Sequence, residues 1–140
     1  MTRVLYAYSD ASVKGSKAAA TTLIVDDTKF IACFTNNLPD NTKSTEAELR
    51  GVVQTMYYIS ENCSTDRDIV IVTDNKAIAI KYITLLKTQE VSGNSMYRSL
   101  YEELLKYSKG FHINVQNIRG HQQSHNPNKV CDVLSRVAVS

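Results

Sequence analysis

Four acidic residues stand where their side chains could meet. Val4, Tyr6 and Tyr8 alternate with Leu5, Ala7 and Ser9, the pattern of a strand, and Asp10 falls on the parity of the tyrosines at its end. Asp74 closes Val72-Thr73-Asp74 after the apolar run Ile69-Val70-Ile71-Val72, a strand covered on both faces. In open sheets with parallel strands, sites gather at the carboxyl ends of the strands. A central first strand beside the buried one therefore makes Asp10 and Asp74 neighbours. Glu48 lies in the first turn of a helix, and Asp132 lies in the last helix, off its apolar stripe. Both helices must pack on the sheet, so both acids can reach the same end of it. Each acid also has a plainer role: a turn residue for Asp10, and the N3 partner of Thr45 in a T-x-x-E capping box for Glu48. Asp74 would serve as a helix cap, and Asp132 as a solvated helix charge. The charge balance gives their convergence a use. Net charge is +2, and setting the four acids aside leaves +6 for the remaining surface. A basic shell around an acidic pit suits a polyanion held by its backbone and attacked through metal ions.

The elements that must position these acids follow from the periodicity. A turn-rich patch at Val13-Lys14-Gly15-Ser16-Lys17 follows the first strand. Thr21–Val25, the turn Asp26-Asp27-Thr28 and Phe30–Phe34 then complete an antiparallel meander of three strands. After Pro39, Leu49, Val52, Val53, Met56 and Ile59 take helical spacing. Helices are expected from about Asn75 to Leu86 and from about Ser95 to Lys109, with a strand over 112–118 between the latter and the last helix. That helix opens at Asn126-Pro127, an N-cap and an N1 proline, with Val130, Val133, Leu134 and Val137 as its buried stripe. The order β-β-β-α-β-α-α-β-α describes an α/β mixed fold, antiparallel first and parallel afterwards. At 140 residues, without repeat, linker or charge block, the chain reads as a single domain over 1–140. Composition excludes disorder and collagen, and no apolar stretch is long enough to cross a bilayer. Arg3, Tyr6, Tyr8, Ser9 and Asp10 break any signal-peptide core. Cys33, Cys63 and Cys131 form no CxxC pair, the usage of a reducing compartment, and a cytoplasmic protein is expected.

The set Tyr-Ser-Asp-Ala-Ser (8–12), Ser-Thr-Glu-Ala-Glu-Leu (44–49), Val-Thr-Asp-Asn (72–75) and Gly-His (120–121) followed by Asn-Lys-Val-Cys-Asp (128–132) resembles the type 1 ribonuclease H family, nearly end to end and in the family's order. The resemblance implies a five-stranded mixed sheet flanked by helices. It implies that Asp10, Glu48, Asp74 and Asp132 hold two Mg²⁺ ions, with Mn²⁺ able to substitute, since hard cations take oxygen ligands and relieve the crowding of like charges. It implies an endoribonuclease cutting the RNA strand of an RNA–DNA hybrid by a two-metal-ion displacement, leaving 5′-phosphate and 3′-hydroxyl ends. The acid directly before a leucine is the family's helix ligand, which favours Glu48 over Glu46; two positions apart, these point about 200° from one another on a helix. His121 matches the family's mobile proton-transferring histidine, with His125 a rival lacking the preceding glycine, and His112 reads as structural. Contacts to the hybrid fall on Ser12, Lys43, Ser44, Thr45, Asn75, Lys76 and Asn128.

Three departures bear on substrate grip. Lys43-Ser44-Thr45 stands where the family usually has asparagine before the helix glutamate, and Lys76 stands where it often has glutamine. Lysine contacts phosphate as a point charge and reads no base edge. The Lys-rich, Trp-containing protrusion of many bacterial members is replaced by the short connection over 87–94, and the chain has no tryptophan. A monomer with modest hybrid affinity is expected, with a helper domain or protein a natural supplement. Tyr57, Tyr58, Tyr97, Tyr101 and Tyr107 read as packing rather than base stacking, and Ala18-Ala19-Ala20 has no functional reading. Two alternatives share the fold: a nuclease of structured DNA, and a hybrid-binding module without turnover. Four retained acids oppose the second, because a binder of polyanions gains nothing by burying negative charge.

Overall fold

The computed structural model describes residues 4–26, 29–93, 96–118 and 127–140, without the side chains at 29, 30, 127–129 and 132. Nine elements follow in the order β1 (Val4–Lys14), β2 (Lys17–Asp26), β3 (Lys29–Asn37), α1 (Ser44–Asn62), β4 (Asp68–Thr73), α2 (Lys76–Thr88), α3 (Arg98–Ser108), β5 (His112–Asn117) and α4 (Pro127–Val139). The sheet order is β3-β2-β1-β4-β5, with the first three strands antiparallel and β1, β4 and β5 parallel. This is the ribonuclease H-like five-stranded mixed sheet expected from the sequence.

The two faces of the sheet carry different layers. On one, Thr22 Oγ1 meets Thr55 Oγ1 of α1 at 2.7 Å, and Leu5, Ala7, Ile24, Ile69 and Ile71 join Leu49, Val52, Met56 and Ile59 of α1 in the main core. On the other, Thr21 Oγ1 meets Ser135 Oγ of α4 at 2.7 Å. Ala18, Ala19 and Ala20 are buried in β2 between the layers. The alanine run thus has a packing use: side chains this small let helices approach the strand closely.

β1 does not end at Asp10. It runs on to Lys14, paired with β2 as far as Lys14↔Lys17, because Gly15 takes the left-handed φ (+62°) that a two-residue hairpin loop needs at its first central position. The parallel pairing with β4 stops earlier, at Ser9↔Thr73. Asp10 therefore sits mid-strand, at the point where its neighbour runs out.

The last helix is turned from its expected phase. It buries Cys131, Ser135 and Val139 and exposes Val130, Val133, Leu134 and Val137. The sheet beneath it offers hydroxyls and main-chain carbonyls of β1 and β2, which suit small hydrogen-bonding side chains better than a valine stripe. α3 begins at Arg98, after Tyr97 in a left-handed conformation (φ +61°), rather than near Ser95. Among the described residues no helix is long and apolar enough to cross a membrane. Tyr101 is buried under Lys81, Tyr57 packs edge-on to Tyr107, and Tyr58 lies against Phe34.

Candidate metal centre

Ser9 and Thr73 are paired residues of parallel strands, so Asp10 and Asp74 are the next residue along each. Asp74 lies just past β4 and does not cap α2. That role falls to Asn75, whose Oδ1 accepts from Ile78 N at 3.0 Å. Asn75, which the sequence reading places among the substrate contacts, thus also serves the helix through its carboxamide oxygen, with its amide nitrogen not used by the cap. Asn117 Nδ2 and Ile118 N both donate to Thr73 O, at 3.1 Å each, pinning the peptide that leads into Asp74.

Glu48 arrives from α1, and the T-x-x-E capping box is not formed. The helix starts two residues earlier than that box requires: Lys43, in place of Thr45, is the N-cap, without a side-chain cap bond, and Glu46 occupies the first turn. Glu46 Oε2 accepts from Arg50 Nε at 2.7 Å, and Glu48 is the glutamate that meets the aspartates. Glu46 is an i,i+4 ion-pair partner. Glu48 is left to face the aspartates.

Gly51, one turn on, sets how closely α1 lies on β1. A Cβ there would stand 2.7 Å from Ser9 Oγ and 3.4 Å from Ala20 Cβ. Gly51→Ala is expected to cost about 1 kcal/mol net, since overpacking costs roughly 1–3 kcal/mol while alanine gains about 1 kcal/mol in helix propensity. Ser9 Oγ is buried without a partner, so Ser9→Ala removes the clash at little cost. In the Ser9→Ala background the sign should reverse, leaving Gly51→Ala stabilising. Urea unfolding of the four proteins checks this, and additive effects of the two changes would contradict it.

One carboxylate oxygen from each of Asp10, Glu48 and Asp74 lies within 4.8 Å of the others. Asp10 is 3% exposed, and its Oδ1 accepts from Ala11 N at 2.8 Å. Burial, then the charges of Asp10 and Asp74, push the Glu48 carboxyl up to about 9. Glu48 Oε2 is buried with no hydrogen-bond partner. Three acids crowded together, one with an orphaned buried oxygen, suit a hard divalent cation with oxygen ligands. Asp132 lies in α4, which packs on β1, but its side chain lies outside the described residues, as do His121, His125 and the side chain of Asn128. Lys43, Ser44, Thr45 and Lys76 are exposed at the starts of α1 and α2, and Ser12 is half-buried on β1 beyond Asp10. His112 is away from this group, at the opening pair of β4 and β5, with Nδ1 2.9 Å from Asp68 Oδ1. Sequence reasoning missed Gly51, Asn117 and Ser135, which touch the acids' supporting backbone. Only Gly51 carried a signal, as a helix-interior glycine.

The RNase H family model matches residues 2–140. The chain belongs to the RNase H family. It is in consequence a hydrolase of the ribonuclease H kind, and its fold recurs in solved members at low sequence identity. RNase H1 from the halophilic archaeon Halobacterium salinarum NRC-1 is 16% identical, with 97% of each chain covered and a TM-score of 0.75. The N-terminal RNase H domain of rv2228c from Mycobacterium tuberculosis is 14% identical, covering 99% of this chain and 94% of that one, with a TM-score of 0.78. LC11-RNase H1, solved in complex with RNA/DNA hybrid, is 11% identical over 96% of each chain, with a TM-score of 0.76. No curated protein matches the sequence significantly.

Proposed function

We propose that this ribonuclease H hydrolyses the RNA strand of RNA–DNA hybrids with two Mg²⁺ ions held by Asp10, Glu48, Asp74 and Asp132. The observation that carries this reading is the meeting of three acids around the partnerless, buried Glu48 Oε2. The hybrid as substrate is supported by family membership and by the structure of LC11-RNase H1 bound to one. When bound, the ions supply an attacking water of lowered pKa and stabilise charge on the leaving 3′-oxygen, which gives 5′-phosphate and 3′-hydroxyl ends.

The chain's own residues do the rest. Ala11 N–H holds Asp10 Oδ1 in place, and Glu48 gives up its proton to become a ligand. Lys43 and Lys76, exposed near the acids, contact backbone phosphates as point charges. Ser44 and Thr45 offer hydroxyls to the minor groove, where 2′-hydroxyls distinguish RNA from DNA. His121 carries the proton to the departing oxygen.

Labelled RNA–DNA hybrid, RNA duplex and DNA duplex, each incubated with Mg²⁺ or with chelator, test the reading. Cutting confined to the RNA strand of the hybrid and abolished by chelator is expected. Cutting of the DNA duplex would replace the substrate, and hybrid binding without cutting would remove the enzyme.

A further inference from the structure

We propose that Ser135 and Thr21 are positioning residues that lock α4 onto β1 and so fix the geometry of the metal site, an inference resting on the metal reading above. Three hydroxyls form a chain beneath α4. Thr35 Oγ1 lies 2.7 Å from Thr21 Oγ1, Thr21 Oγ1 lies 2.7 Å from Ser135 Oγ, and Ser135 Oγ donates to the main-chain oxygen of Asp10 at 3.4 Å. A carbonyl oxygen only accepts, and each hydroxyl has one proton to give. When Ser135 gives its proton to Asp10 O, Thr21 donates to Ser135 and Thr35 to Thr21, so that the chain runs in one sense. Bonds aligned in one sense reinforce each other. Thr21 and Ser135 are fully buried, so solvent does not replace a lost partner.

The chain ties down the part of α4 that matters. Ser135 lies one turn after position 132, and Cys131 lies directly before it, buried, with its Sγ 3.7 Å from Tyr8 O. Two points of the helix that straddle position 132 are thus bound to the backbone of β1, at Tyr8 and at Asp10. Of the apolar side chains of α4, Cys131 and Val139 are buried, whereas Val130, Val133, Leu134 and Val137 are exposed. Small buried side chains resist sliding weakly, whereas directional hydrogen bonds resist it strongly. Loss of groups that orient metal ligands typically costs about 10–100-fold in metal affinity.

Mn²⁺ binding to the full chain, followed by isothermal titration, tests the proposal at a temperature where circular dichroism shows each protein folded. Ser135→Ala is expected to weaken Mn²⁺ binding about tenfold or more. Thr21→Val, which keeps the shape and removes the hydroxyl, should do the same, and Thr21→Ser should retain most of the affinity. A merely structural role would lower the melting temperature and leave affinity unchanged. Folded Ser135→Ala with wild-type affinity overturns the proposal, and if that variant does not fold, Thr21→Val decides by the same measure. Wild-type protein that binds no Mn²⁺ removes the metal reading and this proposal together; wild-type affinity in both hydroxyl-free variants removes this proposal alone.

Discussion

Asp10→Asn is expected to lower Mg²⁺-dependent cleavage of an RNA–DNA hybrid by at least about 10³-fold, equivalent to roughly 4 kcal/mol of transition-state stabilisation. Asp10 is the most buried of the three converging acids and stands between the other two elements that supply them. The substitution preserves shape, and Oδ1 of the amide still accepts the Ala11 N–H that orients it. The fold should survive, and the metal-free protein should melt higher, because the Asp10 charge that crowds Asp74 and the Glu48 carboxyl is gone. Cleavage and stability therefore move in opposite directions, a signature that unfolding does not produce. Single-turnover cleavage at saturating Mg²⁺, paired with a thermal melt in chelator, reads both. Residual activity near that of the wild type would remove Asp10 from the mechanism.

The acids were legible because their neighbours in sequence are strongly typed. A continuous Ile-Val-Ile-Val run forces a buried strand, and the residue just past it must lie at the sheet's end. The alternation from Val4 to Asp10 gives a strand whose neighbours bring that end to Asp10. What periodicity misplaced were features decided by pairing partners and by what lies underneath. Where β1 stops depends on how far β2 can follow it around Gly15, and pairing carries it four residues past Asp10. The capping box at Thr45 and Glu48 is a correct local pattern overridden by tertiary context. Helix initiation at Ser44 places Glu46 in the first turn beside Arg50 and frees Glu48 for the aspartates.

α4 shows the same limit more sharply. Val130, Val133, Leu134 and Val137 form an ideal apolar stripe, yet the helix turns Cys131, Ser135 and Val139 inward. A stripe in sequence states which residues are apolar; the surface it meets decides which are buried. Here that surface carries Thr21, Thr35 and the carbonyls of Tyr8 and Asp10, none of which a one-dimensional pattern brings together. Asn75 and Asn117 were ambiguous for a related reason. An amide near a site serves equally as cap, strand anchor or substrate contact, and only hydrogen-bond partners distinguish these roles.

Metal-free protein should lose stability as pH rises from about 4.5 to about 9, the reverse of what paired carboxylates usually give. Burial raises the Glu48 carboxyl from its ordinary value of 4.5 to about 9, with Asp10 and Asp74 adding to the shift. Within that window the unfolded chain has released the Glu48 proton and the folded chain still holds it. The folded state thus binds more protons, so its stability falls with each step upward in pH. Below the window both states are protonated, and the contribution is fully present. The loss should be on the order of a few kcal/mol, the scale for burying a charge once local relaxation is allowed. Mg²⁺ binding must expel the same proton, so its affinity should rise through the same window and oppose the loss most at the alkaline end. Glu48→Gln has no proton to release, and its chelator-treated form should show a much flatter profile. Urea unfolding of both proteins in chelator at about pH 5, 7 and 9 separates the Glu48 contribution from those of its neighbours. A difference between them that stays constant with pH would mean that Glu48 is already ionised without metal, and that its buried oxygen does not await a cation.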